Sequence, residues 1–274
     1  MLAEKESAML GAVAGDIAGS RFEWKNTKSK DFELFTPECR ITDDSVMTLA
    51  VARSILDAAG RRDRLGPAAI RCMQAFGRRW ARGCYGGSFS RWLMSEEPRP
   101  YGSWGNGAAM RVSACAWAAN SLEDALDMAR RVTEVTHDHP EGIKGAEAVT
   151  AAIWLARQGA GLEDIRRHIE ARYYPLDFTL DEVRPAYGFD VSCQGSVPQA
   201  VEAFLESVSF EDAVRNAVSL GGDSDTIGAM AGSMAEAFYG MPKALREAAL
   251  GYLPPELAAV ALEFEASYSA PKLA

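Results

Sequence analysis

The 274-residue chain has only three histidines, and its five cysteines (Cys39, Cys72, Cys84, Cys115 and Cys193) include no CxxC pair. Nothing here supports a zinc site or a disulfide framework, which need closely spaced ligands or paired thiols. Cys115, inside an apolar run, reads as a small core residue rather than a nucleophile. No charge-free run reaches the roughly 18 apolar residues of a membrane span. The N-terminus has two early acids and no basic region ahead of an apolar stretch, so it does not read as a secretory signal. A cytoplasmic protein without a membrane partner is the expectation. Alternating runs of β-branched residues are nearly absent, which leaves little from which to build a parallel sheet. Positive charge is also in deficit: 29 Lys and Arg stand against 38 Asp and Glu, for a net charge of −9. An acidic surface disfavours non-specific binding to nucleic acid or anionic membrane. A nucleotide-like ligand stays open, provided that something local reverses the field.

What is present is helical patterning on an ordinary globular composition, 48% hydrophobic and 24% charged. Ile227, Met230, Ala231, Met234, Ala235 and Phe238 repeat at helical spacing, as do Ile143, Ala146, Val149, Ile153 and Ala156, and each set is expected to bury one face. Ser121 to Asp124 and Ser209 to Asp212 read as capping boxes opening further helices. Helices are also expected near 4–19, 44–59, 67–82, 107–119, 162–171, 197–206, 242–250 and 255–268, and irregular segments near 20–41, 83–105 and 173–195. The class is all-α, in one domain over residues 1–274.

Two acidic clusters sit at expected helix starts, Thr42-Asp43-Asp44-Ser45 and Gly222-Asp223-Ser224-Asp225-Thr226. Either could be an N-cap alone. One helix start, however, does not need two aspartates, a serine and a threonine behind two glycines. Together the clusters offer hard oxygen ligands suited to Mg²⁺, Mn²⁺ or Ca²⁺, and their converging carboxylates would need cations to neutralise them. A third segment repeats glycine at 11, 15 and 19, a bare face for close helix packing, and ends at Glu23. A fourth, Gly102-Ser103-Trp104-Gly105-Asn106-Gly107, is either a tight turn or a backbone cradle for pyrophosphate. A fifth places His137 and His139 just before a helix opened by Pro140, where a ring nitrogen could meet a ribose or phosphate or have no role.

In this order, GDIAGSRFEW, ITDDSVMTLA, SWGNGAAMR, THDHPEGIKGA and SLGGDSDTIGAMAG resemble the successive signatures of the ADP-ribosylglycohydrolase family. The resemblance spans Gly11 to Gly240 and implies a compact orthogonal multi-helix bundle with a central binuclear metal cleft. By resemblance, two Mg²⁺ ions, or Mn²⁺ in their place, would be held by Thr42, Asp43, Asp44, Asp223, Asp225 and Thr226. Gly102, Ser103, Trp104, Gly105, Asn106 and His137 would bind ADP-ribose, and Glu23 and Asp225 are joint candidates for activating water. The implied activity is Mg²⁺-dependent cleavage at C1″ of ADP-ribose, releasing it from a modified protein or other acceptor. A non-catalytic ADP-ribose-binding or structural member, and a metal-dependent hydrolase of another nucleotide derivative, are the alternatives. Ser45 stands where many members have threonine, Trp104 where a smaller aromatic is common, and the chain is short for the family. Arginine, serine, an ester, polymeric ADP-ribose and a nucleobase all remain as acceptors, and a monomer is expected.

Overall fold

The structure, a computed structural model, describes residues 8–268. Among them are fourteen α-helices and no β-strand, so the all-α expectation holds. In chain order the helices are α1 Leu10–Gly19, α2 Asp43–Ala58, α3 Arg62–Arg79, α4 Gly87–Met94, α5 Ser113–Ala118, α6 Leu122–Thr133 and α7 Pro140–Arg157. They continue with α8 Leu162–Arg172, α9 Leu180–Val183, α10 Cys193–Leu205, α11 Phe210–Ser219, α12 Ser224–Tyr239, α13 Lys243–Tyr252 and α14 Pro255–Tyr268. Residues 4–7 of the first expected helix lie outside the described residues. No helix is long and apolar enough to cross a membrane among the described residues.

The helix starts follow local chemistry. Ser121 and Ser209 accept the amides of Asp124 and Asp212, both at 3.1 Å. The carboxylates reach one residue further back than a reciprocal capping box does, to the amides of Asn120 and Val208. The reciprocal box lies at Thr179 and Glu182, opening α9 inside a segment expected to be irregular. Likewise α4 forms within 83–105, its Trp92 and Leu93 buried.

The core is organised around α12, packed by α1, α11, α10, α7 and α2. A single buried face was expected for it, but every residue from Ser224 to Ala237 is buried, because helices surround it on several sides. All ten residues of α1 are buried as well. The glycine face of α1 meets the backbone of α12: a Cβ on Gly11, Gly15 or Gly19 would lie 2.3, 1.9 or 2.4 Å from the carbonyl oxygens of Gly232, Gly228 or Ser224. One register rises as the other falls, so the helices run antiparallel. Close packing therefore brings the C-terminal half of α1, with Asp16, to the N-terminus of α12, with Asp223 and Asp225.

Candidate active site

Asp16 is a carboxylate within an otherwise apolar, fully buried helix, and it organises the start of α2. It accepts the Thr42 amide at 2.9 Å, the Thr42 hydroxyl at 2.7 Å, the Ser45 amide at 3.1 Å and the Ser45 hydroxyl. Two of the amides that a helix start leaves open are thereby satisfied from a neighbouring helix. Thr42 is the N-cap of α2, buried, with its hydroxyl turned to Asp16 and also 3.2 Å from Asp44. Asp43 is half-buried and Asp44 buried, and both line the cleft that opens above.

The second cluster arrives on a turn whose backbone only glycine adopts readily. Gly221 and Gly222 have φ of 71° and 69°, the left-handed region that favours glycine. A Cβ on Gly222 would lie 2.5 Å from the Gly188 carbonyl oxygen. Asn26 clips the same turn, accepting the Gly222 amide at 2.9 Å and donating to its carbonyl at 3.1 Å. The loop that carries Glu23 is thus tied to the turn that carries Asp223.

The two clusters meet. Ligand oxygens of Asp16, Asp44 and Asp225 lie within 4.8 Å of one another, as do those of Glu23, Asp223 and Asp225. Asp225 belongs to both groups. Thr226 donates to Asp44 at 3.2 Å, and Asn106 donates to Asp223 at 2.6 Å. Carboxylates within 4.8 Å of one another repel, when both are ionised, by at least roughly 3.5 kcal/mol at an effective dielectric of about 20. Burial first, then the charge of Asp16, pushes Asp43 up to about 8. Asp44 and Asp225 are held well above the usual carboxylate range, by burial and then by Asp16 and Asp44 respectively. Burial also raises Asp16 and Asp223, and raises Glu23, with the Asp223 charge as the next cause.

Asp44 Oδ1 and Asp225 Oδ1 are buried without a hydrogen-bond partner. A buried acceptor left unpaired is costly, and a divalent cation satisfies it while cancelling the repulsion. An all-oxygen donor set of carboxylates and hydroxyls fits Mg²⁺ or Mn²⁺ better than zinc.

A cleft of about 560 Å³ spreads from these carboxylates. Glu23, Asp43, Asp44, Asp223, Asp225 and Thr226 form one end, and Ser103, Gly105, Asn106 and His137 lie along the wall. Gly102 and Trp104 are not among the lining residues; Trp104 is half exposed, its ring edge-on to His139 at 5.3 Å. The 101–107 loop is held by backbone bonds from Asn106 N to Val191 O, 2.7 Å, and from Cys193 N to Trp104 O, 2.9 Å. Trp24 and Phe189, both exposed, stack at 5.2 Å on the cleft rim beside Glu23.

The sequence pattern of the ADP-ribosylglycohydrolase family matches residues 6–270. The chain belongs to that family. This ADP-ribosylglycohydrolase relative is 26% identical to the ADP-ribosylhydrolase ARH3 of Bos taurus, over 95% of this chain and 92% of the bovine one. Against the ADP-ribosylarginine hydrolase Tri1 of Pseudomonas putida it is 28% identical, over 50% of this chain and 39% of that one. A solved structure described as an ADP-ribosylglycohydrolase-related protein complex shares the fold, with a TM-score of 0.69 at 24% identity over 96% of each chain.

Asp16 and Asn26 are not among the site residues expected from the sequence. The signal for Asp16 was available: a lone carboxylate in a helix of Gly, Ala, Val and Ile has no solvent to face. Asn26 carried no such signal, because its partner lies 196 residues away.

Proposed function

We propose that this protein is a Mg²⁺-dependent hydrolase of the C1″ bond of ADP-ribose, releasing ADP-ribose from a modified protein or another acceptor. The observation that carries the reading is the pair of carboxylate groups sharing Asp225, at one end of a cleft whose wall is Ser103, Gly105, Asn106 and His137. Asp43, Asp44, Asp223, Asp225 and Thr226 would hold the ions, with Thr42 fixing the helix start from which Asp43 and Asp44 project. Bound there, divalent ions supply Lewis acidity and a fixed docking point for ribose hydroxyls.

The remaining work falls to the chain. Asn106 orients Asp223 through its 2.6 Å hydrogen bond, and Thr226 orients Asp44. The 101–107 loop, through residues such as Ser103 and Gly107, and the ring of His137 would take the diphosphate and ribose of the ligand, with the anomeric carbon directed to the acidic end. Positive charge developing on that sugar carbon is stabilised by the surrounding carboxylates. Asp225 is common to both groups and deeply buried, so it would be a ligand available to either group. Glu23 is half-buried and opens on the cleft, which suits it to take the proton of the attacking water. Its proton affinity, raised by burial and by Asp223, makes it a stronger base than a solvated glutamate.

The test is release of free ADP-ribose, followed chromatographically, from arginine-, serine- and DNA-linked substrates with Mg²⁺ and with EDTA. Turnover of at least one substrate with Mg²⁺, lost in EDTA, is expected. ADP-ribose binding without turnover of any of them would favour a binding protein instead.

A further inference from the structure

Among the described residues Arg111 is the largest side chain buried almost completely, 1% exposed, and its hydrogen bonds there go to a hydroxyl and two carbonyls rather than to a carboxylate. Its Nη2 donates to the Thr136 hydroxyl at 2.7 Å and to the carbonyls of Val132 and Thr133 at 3.1 and 3.5 Å. That same hydroxyl lies 2.7 Å from Nδ1 of His137. The imidazole is buried, 5% exposed, and lines the cleft, with Nε2 on the side of Gly105 and Gly107. Tyr101 covers the ring at a centroid distance of 5.8 Å.

Hydrogen-bond accounting narrows which nitrogen carries the proton. Thr136 has one hydroxyl proton, and a guanidinium only donates, so Arg111 takes a lone pair of Oγ1 and leaves the proton to be given elsewhere. Two acceptors are in reach, the Thr133 carbonyl at 3.3 Å and His137 Nδ1 at 2.7 Å. The carbonyl already accepts the backbone amides of Thr136, at 3.1 Å, and His137, at 2.8 Å. Oγ1 of Thr136 has two lone pairs, so it could take an Nδ1–H as well as Arg111 if its own proton went to the Thr133 carbonyl; distance and the load on that carbonyl favour the other arrangement, with Nδ1 as the recipient. A neutral imidazole that accepts at Nδ1 must carry its hydrogen on Nε2.

We propose that Arg111 and Thr136 are positioning residues that hold His137 as a neutral ring with its Nε2–H directed into the cleft, a donor for the anionic oxygens of the bound ligand. The chain runs from guanidinium N–H to threonine O–H to imidazole N–H, each bond polarising the next. Arg111, itself among the residues lining the cleft, thereby also reaches the ligand through a hydrogen-bond donor. The arrangement supplies attraction for a diphosphate on the cleft wall formed by Gly105 and Gly107. The identity of that anion rests on the ADP-ribose reading above; the protonation pattern of the ring does not.

Long-range nitrogen–proton correlation spectra of the full-length protein, labelled with ¹⁵N-histidine at pH 7.5, test the proposal directly. Three histidines give three patterns, and His137→Gln assigns the one of interest. Protonated Nε2 and bare Nδ1 are expected for His137 in the free wild-type protein. The opposite pattern overturns the proposal, whatever the enzyme's activity. Calorimetric titration with ADP-ribose and with adenosine gives the functional half. Thr136→Val, close in shape, should weaken ADP-ribose by about 10-fold, which is ~1.4 kcal/mol, and adenosine far less. Thr136→Ser should restore both the ring pattern and the affinity. A Thr136→Val protein that keeps the wild-type pattern and affinity refutes the relay. Absent turnover with an intact ring pattern counts against the catalytic reading alone.

Discussion

Replacing Asp43 by asparagine is expected to make the metal-free protein more stable. In the fold the Asp43 carboxyl is pushed from 3.8 up to about 8, by burial first and then by the charge of Asp16. A group that holds its proton more tightly when folded stabilises the fold at low pH and opposes it as pH rises, here between about pH 4 and 8. At pH 7 about three pH units of that displacement are felt, at ~1.4 kcal/mol each, or roughly 4 kcal/mol for an isolated group. Because neighbouring carboxylates titrate with it, relief of about 2–4 kcal/mol is the fair expectation. For a chain of this size that is a rise of roughly 5–15 °C in melting temperature. Thermal melts followed by circular dichroism, in EDTA at pH 5 and pH 8 and again with Mg²⁺, provide the assay. In EDTA at pH 8 the variant should melt well above wild type, and the gap should narrow toward pH 5. Saturating Mg²⁺ should raise the wild-type melt, by about 2.7 kcal/mol of stability at a hundredfold excess over Kd, and the variant's much less. Equal melting temperatures for the two proteins in EDTA at pH 8 would refute the idea that buried like charge strains this site.

Gly15→Ala places a methyl group 1.9 Å from the Gly228 carbonyl oxygen, so α1 and α12 must separate; a loss of at least about 1–3 kcal/mol in a chemical melt is expected, and a wild-type midpoint would contradict the packing. Asn106→Ala removes the 2.6 Å bond that orients Asp223, and titration calorimetry with Mg²⁺ or Mn²⁺ should show affinity down by roughly 10–100-fold. Unchanged affinity would mean that Asp223 needs no such support. Cys84 is exposed and lines the cleft, whereas the other four cysteines are buried. Alkylation followed by mass spectrometry should therefore mark Cys84 first, and ADP-ribose should slow it. Labelling at an undiminished rate in saturating ligand would place the ligand elsewhere.

Much of the site was legible because its residues come in short runs with a local reason to be together. Thr42 to Ser45 and Asp223 to Thr226 both carry residue types that favour helix starts, and both lie at helix starts in the fold, although only Thr42 makes a side-chain capping bond. The glycines at 11, 15 and 19 announced close packing, and the structure names the partner as the glycine-bearing face of α12. Less legible were features whose cause is distant in the chain. α12 reads as amphipathic, since its large apolar residues fall on one face, but the small ones opposite are buried too, beneath α1. α9 gives no periodic signal although Thr179 and Glu182 form a capping box, because four residues are too few for any apolar periodicity.

The sequence by itself determined the helical class, some of the helix starts, such as those at Ser121 and Ser209, and the all-oxygen character of the acidic clusters, since these depend on neighbours within a turn or two. The tertiary structure alone decided that the clusters converge. It did so through backbone contact between α1 and α12, which brings Asp16 and Asp225 together from positions more than two hundred residues apart. Tertiary packing also decided the roles of polar side chains that no local pattern distinguishes. Asp16 caps a helix other than its own, Asn26 clips a distant turn, and Arg111 lies behind a histidine. A hydrogen bond recognises its partner in space, and only the folded chain supplies that neighbourhood.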